Sequence, residues 1–312
     1  MTNQPWKGKL YLVGAFSLAG TSVVAARYVS GALGVFTIAA VSLLFASAVL
    51  LPLSLRRLKL AFQEMTPRIG IEILLQAIFG MFLFRFFLLN GVSRTSSLEA
   101  GILTGATPAI TALLAWIFLK ETLNGRTIAG LTATIAGVVL VQGAAGLQGG
   151  LQSAHIVGNL LVLGAAASES IFNILSRSAA EKGVVRNRPI DPLTQTALVT
   201  MVAFVLCCIP AAFEQPFGRL FQLGVSGWLA LFWLGVFVTA LAYICWYSGI
   251  KRCGAFTAAA FSGFMPLTSM VLSTLLLREE TDLFQWLGGA CVIAGMLLIG
   301  SIKQKNREPA IS

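Results

Sequence analysis

The chain of 312 residues is 57% hydrophobic and only 11% charged, whereas a water-soluble domain carries about 25% charged residues. Its apolar residues lie in long runs, and the mean hydropathy is +0.84. These values exclude a soluble enzyme, a nucleic-acid-binding protein, a disordered chain and a disulfide scaffold. They predict an all-α polytopic membrane protein.

Ten apolar runs follow one another along the chain, and each is long enough to cross a bilayer, which takes roughly 20 residues as a helix. The predicted spans cover residues 10–29, 33–55, 69–90, 98–119, 127–147, 156–176, 193–213, 225–247, 254–277 and 283–302. The longest connection runs from Arg177 to Pro192. A soluble catalytic domain therefore has no room.

The basic residues predict the topology. With the N-terminus inside, the cytoplasmic segments hold 17 of the 22 Lys and Arg residues. Only Arg27, Arg94, Arg219 and Arg278 fall on the other side, and Arg85 lies within a span. Because cytoplasmic loops retain Lys and Arg, we expect both termini in the cytoplasm of a bacterial-type inner (plasma) membrane. The net charge of +10 reflects this topology and not a nucleic-acid partner.

The second half of the chain repeats the first. At an offset of 158, residues 108–140 match residues 266–298 with nine identities in 33 positions. The matched pairs include Pro108 with Pro266, Glu121 with Glu279, Gly130 with Gly288 and Gly137 with Gly295. Five spans per half is an odd number, so we expect residues 151–312 to enter the membrane inverted relative to residues 1–150. Inverted repeats are typical of secondary transporters, whose substrate site lies near the bilayer midplane.

Short motifs carry a resemblance to a known family over nearly the whole chain. They are Gly20-Thr21-Ser22 with Arg27, Leu119-Lys120-Glu121, Gly158-Asn159-Leu160-Leu161, Leu175-Ser176-Arg177 and Arg278-Glu279. In their order and duplication they resemble EamA-type transporters of the drug/metabolite transporter (DMT) superfamily. The resemblance implies a ten-helix carrier of two inverted five-helix repeats around a central cavity, often exporting amino acids or other small metabolites. Similar proteins tend to carry Trp where this chain has Ala19 and Glu169.

Glu169 is the deepest acidic residue of the predicted spans, roughly 10–15 Å from the cytoplasmic end of its helix at 1.5 Å per residue. A charge at that depth costs at least about 2.5–3.5 kcal/mol, so it should face a cavity or a partner. Asn173 and Ser176 continue one polar stripe. The pattern suits a proton-coupled carrier of amines or zwitterions. The alternative is a structural hydrogen bond to another helix.

Arg85 stands among phenylalanines, about 8 Å from the outer end of its span. It could bind a substrate carboxylate, pair with Glu169, or extend to the outer headgroups. The two depths differ by roughly 8–13 Å along the membrane normal, which disfavours one amino-acid head group touching both. Arg27, Glu72 and Glu99 lie near span ends, where we expect interfacial anchors.

Two prolines, Pro108 and Pro266, each remove a backbone hydrogen bond in mid-span, and the freed carbonyl must be satisfied by protein or by cavity water. Thr104, Thr107 and Thr111 share a face beside Pro108, and Ser262 and Ser269 share the matching face beside Pro266. A duplicated binding region is one interpretation, and a plain kink is the other.

Tyr243 and Tyr247 lie one turn apart and share a face. An aromatic ring of that face could hold a substrate cation, although helix or lipid packing would explain both residues equally well.

The sequence argues against an enzyme. His155 is the single histidine and is predicted in an external loop, so neither a His-based triad nor a multi-His metal site can form. No phosphate-binding G-x-x-x-x-G-K-[ST] loop is present. We expect no cofactor and no metal.

The prediction is a secondary transporter, monomeric or homodimeric, that exports an amino acid, an amine or a related zwitterion by alternating access, with protons as coupling ion. Two alternatives remain open at this stage: a flippase for a lipid or lipid-linked sugar, and a non-transporting membrane partner protein.

Overall fold

The computed structural model describes residues 5–119, 124–149, 153–182, 184–185, 188–279 and 282–300. The chain is nearly all helical in this part. The helices are α1 (Pro5–Val29), α2 (Val35–Gln63), α3 (Pro67–Ala77), π1 (Ile78–Leu83), α4 (Phe84–Val92), α5 (Ser97–Thr104), α6 (Thr107–Leu119), α7 (Gly125–Gly149), α8 (Ser153–Lys182), α9 (Pro192–Ala212), α10 (Pro216–Phe221), α11 (Val225–Trp233), π2 (Leu234–Leu241), α12 (Ala242–Phe261), α13 (Phe264–Leu276) and α14 (Leu283–Gly300). Between α8 and α9, the two-residue strands β1 (Val184–Val185) and β2 (Arg188–Pro189) pair antiparallel.

Counted across the π turns and across the break between α5 and α6, seven helical stretches of the described residues are long and apolar enough to cross a membrane, and three more apolar helices are shorter. The described part of every predicted span is largely helical, with one difference in continuity. The spans predicted at 225–247 and 254–277 are not separated by a loop, because α12 continues through Lys251 and Arg252. Glu121, the first-half partner of Glu279, lies outside the described residues.

Two helices widen into π turns at matching places in the two halves of the chain. π1 joins α3 to α4, and π2 joins α11 to α12. Each contains a glycine where a neighbour comes too close for a side chain: a Cβ at Gly80 would lie 2.4 Å from the Phe172 ring, and one at Gly235 would lie 2.3 Å from Ser42 O. A π turn releases backbone carbonyls from the regular helical pattern, and such turns are frequent at functional sites.

The duplicated prolines also break their helices at matching places. The helix stops after Thr104 and resumes at Thr107, just before Pro108, and in the second half it stops after Phe261 and resumes at Phe264. Pro108 has no N–H to donate to the Thr104 carbonyl. This carbonyl instead accepts from Thr107 Oγ1 at 2.8 Å. In the second half the Ser262 carbonyl accepts from Met265 N at 2.9 Å.

α7 and α14 run antiparallel in close contact. A Cβ at Gly130 would lie 2.7 Å from Gly295 O, and a Cβ at Gly137 would lie 2.5 Å from Gly288 O. The sequence repeat pairs Gly130 with Gly288 and Gly137 with Gly295, so each of the two contacts is the image of the other. Small residues let the two backbones approach closely, as is typical of helix pairs in membranes.

Two acidic side chains from the second half cap helices of the first half. Glu214, just after α9, accepts from Phe36 N at 3.1 Å and Thr37 N at 2.8 Å at the start of α2. Glu279, just after α13, accepts from Ser97 N at 3.0 Å and Leu98 N at 2.9 Å at the start of α5. A carboxylate on the free N–H groups of a helix N-terminus is a stabilising arrangement.

We predict that Gly137→Leu destabilises the protein by about 1–3 kcal/mol, because the new side chain must displace the α14 backbone. The measurement is thermal unfolding of the purified protein in detergent. Gly14→Leu is the matched control, since a Cβ at Gly14 of α1 meets nothing within 4 Å. Equal melting temperatures for the two variants would contradict the close contact of α7 and α14.

Candidate functional site

Three consecutive polar residues of α8 attach this helix to the irregular segments of its neighbours. Ser168 Oγ donates to Phe79 O of π1 at 2.8 Å. Glu169 Oε2 lies 3.0 Å from Thr107 Oγ1, at the helix break before Pro108. Ser170 Oγ lies 2.9 Å from the Thr107 carbonyl oxygen. The middle of α8 is therefore docked onto both π1 and the break between α5 and α6.

Glu169 lies further from the end of its helix than predicted. α8 continues to Lys182, so thirteen residues, or roughly 20 Å of helix, separate Glu169 from that end. Its side chain is nevertheless only half-buried. Because a carboxylate exposed to hydrocarbon would be strongly unfavourable, we expect the exposed part of Glu169 to face protein or water rather than lipid.

Arg85 is held by two hydroxyl groups. Its guanidinium donates to Ser42 Oγ of α2 at 2.7 Å and to Thr239 Oγ1 of π2. Thr239 in turn donates to the Leu234 carbonyl at 2.7 Å. Among the ion pairs of the described residues, none joins Arg85 to Glu169. Of the roles considered for Arg85, pairing with Glu169 and extension to the outer headgroups are therefore both wrong for this structure.

A small cavity adjoins the Arg85 side chain. Its volume is about 40 Å³, which is room for a few water molecules. Apart from Arg85 the wall is mostly apolar, with a few hydroxyl groups. The lining residues are Ser22, Ala26, Gly80, Phe84, Arg85, Leu88, Leu89, Leu234, Val238, Thr239 and Tyr243. The cavity thus offers one cation in an otherwise apolar enclosure.

Tyr243 connects α12 to π1 beside the Arg85 cavity. Its hydroxyl donates to the Gly80 carbonyl of π1 at 2.8 Å, and the residue lines the cavity together with Arg85. The Tyr243 ring packs on Phe172 at a centroid distance of 5.7 Å. Tyr243 therefore satisfies a π-turn carbonyl and forms one wall of the cavity.

Tyr247 belongs to a separate polar cluster centred on Gln76, a fully buried residue of α3. Gln76 Oε1 accepts from Tyr247 Oη at 3.0 Å and from Gln195 Nε2 at 2.9 Å. Ser176 Oγ lies 3.5 Å away. Tyr247 is itself buried, so its hydroxyl connects α12 to α3 through Gln76 and does not line the cavity.

The remaining predicted site residues are dispersed. Thr111 Oγ1 donates to the Thr107 carbonyl at 2.8 Å, and Asn173 is half-buried without a side-chain hydrogen bond to any described residue. Ser269 is fully buried against Gly101, where a Cβ would lie 2.0 Å from Ser269 Oγ. Ser262 and Pro266 are also buried. The structure thus joins Glu169 to Thr107 and, through it, to Thr111, whereas the second-half serines lie in helix contacts.

Glu99 is not an interfacial anchor as expected but the centre of a buried cluster, with 3% of its surface exposed. Its carboxylate accepts from Thr95 at 2.9 Å, Asn159 at 3.0 Å and Gln285 at 3.3 Å. His155, expected in a loop, lies in the first turn of α8 with Nδ1 3.8 Å from Glu99. The Glu99 cluster ties α5, α8 and α14 together. Arg27 likewise has a structural role, donating to Val92 O at 2.8 Å at the end of α4.

Several residues of the site escaped sequence reasoning because they are single hydroxyls within apolar helices, where most serines and threonines bond only to their own backbone. Ser42 and Thr239 gain their meaning only when folding brings Arg85 between them. Ser168 and Ser170 did leave a signal: they flank the one mid-span acid in a Ser-Glu-Ser run.

We predict that Glu99→Ala destabilises the protein by about 1–3 kcal/mol, because the buried side-chain amides of Asn159 and Gln285 lose their acceptor at once. Thermal unfolding in detergent measures the effect. Glu72→Ala is the control, since the one ion pair of Glu72 is formed at 3.5 Å with the largely exposed Arg68 and should contribute little. A Glu99→Ala variant as stable as Glu72→Ala would refute the structural role of Glu99.

Comparison with known proteins agrees with this architecture. The EamA-like transporter family model matches the chain twice, at residues 6–142 and 156–301. The uncharacterized transporter YetK of Bacillus subtilis is 30% identical over 298 residues, which are 95% of this chain and 87% of YetK. An uncharacterized transporter of Clostridium kluyveri is 23% identical over 309 residues, covering 97% and 96% of the two chains.

A solved crystal structure has the same fold. It superposes with a TM-score of 0.62 at 22% sequence identity, covering 93% of this chain and 95% of the other. At that identity the likeness concerns the fold alone. The family matches confirm the resemblance found in the short motifs: the chain belongs to the EamA-like transporter family and is a polytopic membrane protein.

Proposed function

We propose that this protein is a secondary transporter that exports a small metabolite, either an amino acid, an amine or a related zwitterion, in exchange for protons. Two five-helix halves, residues 1–150 and 151–312, lie inverted in the inner membrane with both termini in the cytoplasm. They alternate in access around a site between Arg85 and Glu169.

One observation carries the proposal: two ionisable side chains of opposite sign, Arg85 and Glu169, lie far from the ends of the membrane-spanning helices and form no ion pair with each other among the described residues. Each is held by neutral hydroxyls, Arg85 by Ser42 and Thr239, and Glu169 by Thr107. Ionisable groups inside the membrane are unfavourable and mark substrate or ion pathways. If Arg85 and Glu169 had only a structural role, we would expect them to form an ion pair with each other. Because they are kept apart, each can bind a group of the ligand.

The site separates the two charges along the helix axis. Ser168, adjacent to Glu169, contacts Phe79, and Arg85 is six residues further along, roughly 9 Å at 1.5 Å per residue. In our proposal the guanidinium holds the carboxylate of the cargo, and apolar wall residues such as Phe84 and Leu88 accept its side chain. The amino group then meets Glu169 as the cargo moves between the two access states.

The inverted arrangement of the halves has three supports. α7 and α14 correspond in the sequence repeat and pack antiparallel, with each glycine contact the image of the other. The π turns and the helix breaks recur at matching positions. The family model matches the chain twice in succession. Corresponding helices that pack antiparallel are what we expect if the second half enters the membrane in the opposite orientation to the first, as five spans per half would produce.

Glu169 is the proposed proton carrier. Desolvation favours its neutral form, whereas an arriving ammonium group favours the carboxylate. Cargo binding therefore releases the proton, and cargo release takes one up. Antiport of a cation against a proton follows from this competition without any further component.

We predict that Glu169→Gln abolishes the pH dependence of transport, because the amide cannot exchange a proton. A thermal-shift screen of purified protein against amino acids, amines, nucleosides and sugar phosphates first identifies the cargo. Proteoliposome transport is then measured across external pH. A Glu169→Gln variant with normal rate and unchanged pH profile would remove Glu169 from the mechanism, and movement of labelled lipid in the same vesicles would instead favour a flippase.

We predict that Arg85→Met raises the KM for a carboxylate-bearing cargo at least about tenfold, because a charge-assisted hydrogen bond is lost in a water-poor cavity. Arg94→Met is the matched control, since Arg94 is exposed and bonds only to Asn90 among the described residues. A cargo that lacks a carboxylate should be affected less. Equal KM values for Arg85→Met and Arg94→Met would exclude Arg85 from cargo binding.

A further inference from the structure

The Thr107 hydroxyl stands between two acceptors and has a single proton. Its Oγ1 lies 2.8 Å from the Thr104 carbonyl oxygen and 3.0 Å from Glu169 Oε2. A hydroxyl donates one hydrogen bond and accepts others. Both short distances are full hydrogen bonds when Glu169 carries a proton and donates it to Thr107, while Thr107 donates to Thr104. When Glu169 is a carboxylate, the two acceptors compete for the single Thr107 proton.

The Thr104 carbonyl depends on this bond. Residue 108 is proline, which has no N–H to offer the carbonyl four residues earlier. Thr104 is buried, with 1% of its surface exposed, so water does not readily replace the donor. An unsatisfied backbone carbonyl in this setting is unfavourable.

We propose that Thr107 is a positioning residue that couples the protonation of Glu169 to the conformation of the α5–α6 break. The inference rests on the proposed role of Glu169 as proton carrier. With Glu169 protonated, the chain of bonds runs from Glu169 through Thr107 to the Thr104 carbonyl, and the break is satisfied. When the Glu169 O–H bond breaks and its proton passes to water in the internal space, Thr107 turns to donate to the carboxylate, and the Thr104 carbonyl loses its partner.

The second anchor of the break stays fixed during this change. The Thr107 carbonyl accepts from Thr111 Oγ1 at 2.8 Å and lies 2.9 Å from Ser170 Oγ, whose proton is shared with the Ala166 carbonyl oxygen of α8 at 2.8 Å. Both contacts involve only hydroxyl groups, which do not titrate in the working range. Loss of the proton therefore loosens the segment on one side of Thr107 and leaves the other side docked on α8, which is the requirement for a hinge.

Within the described part of the chain, no other titratable group faces Glu169 in a way that could replace it. Glu99 of α5 bonds to Asn159, ten residues before Glu169 on α8, and Glu72 of α3 pairs with Arg68. From α6 the facing groups are the hydroxyls of Thr107 and Thr111. From α12 the phenol of Tyr243 is in range, and its hydroxyl already donates to Gly80 O. Arg85 of α4 approaches from the Tyr243 side and keeps its charge at every working pH. The described part of α14, which also packs against α6, has no charged residue.

Hydrogen–deuterium exchange of the purified protein in nanodiscs, read by mass spectrometry, tests the coupling without any cargo. Peptides covering residues 101–112 are compared at two pH values on either side of the Glu169 titration, after correction for the intrinsic exchange rate. We expect about threefold to tenfold faster exchange at the higher pH, the equivalent of one lost hydrogen bond.

Variants separate the coupling from the proton site itself. Glu169→Gln should stay slow at both pH values, because its amide can donate to Thr107 as a protonated acid does. Thr107→Val should exchange fast at both, since the Thr104 carbonyl has lost its donor, and Thr107→Ser should restore the wild-type response. Thermal unfolding checks that each variant is folded, and Thr107→Ser keeps the test decisive should Thr107→Val unfold.

The possible failures are distinguishable. If exchange in the wild type does not depend on pH while Glu169→Gln still abolishes the pH dependence of transport, the coupling through Thr107 is wrong and the proposed function stands. A pH-dependent exchange that persists in Glu169→Gln would mean that another group titrates, and both proposals would fall. A Thr107→Val variant with the wild-type response would overturn the coupling alone.

Discussion

The absence of water from the hydrocarbon core is the constraint on which this structure depends, because every backbone carbonyl that leaves the helical pattern must find a donor within the protein. The chain releases carbonyls in its π turns and at its proline break, and a side chain meets each of those that shape the site. Ser168 satisfies Phe79, Tyr243 satisfies Gly80, and Thr239 satisfies Leu234. The irregular segments and the polar residues of the site are thus one system: the donors required by the backbone are the same groups that surround Arg85 and Glu169.

This dependence explains why polar groups concentrate in layers along the membrane normal. The Gln76 cluster lies on one side of the cavity and the Glu99 cluster ties α5, α8 and α14 together on the other. Both consist mainly of buried side chains that hydrogen-bond to one another across several helices, so each acts as a rigid connection. The charged residues between them are satisfied by fewer partners and keep exposed surface. The Gln76 and Glu99 clusters therefore hold the helices together, whereas Arg85 and Glu169 remain able to bind a ligand.

The sequence was sufficient for the family and the polytopic helical character, because hydrophobic length and charge asymmetry are local properties that survive folding. The duplicated prolines even indicated the breaks in α5–α6 and before α13. The partners of Arg85 could not be predicted in the same way, because Ser42 and Thr239 lie 43 and 154 residues away in the chain and are ordinary hydroxyls in apolar helices. The prediction for Glu99 was wrong for a related reason. Its position close to a helix end suggested exposure to water, whereas hydrogen-bond donors of Thr95, Asn159 and Gln285 surround its carboxylate.

For the alternating access proposed above, two carboxylates discussed with the fold, Glu214 and Glu279, would restrict how the halves move. Both belong to the C-terminal half, and both grip the first amides of helices in the N-terminal half, at the starts of α2 and α5. Rocking that separated the halves on this face would pull a formal negative charge off two helix ends at once. A rotation about the two capped helix starts would keep both sets of hydrogen bonds. The caps therefore favour a pivot at the Glu214 and Glu279 contacts, with the halves separating at the end of the bundle away from them.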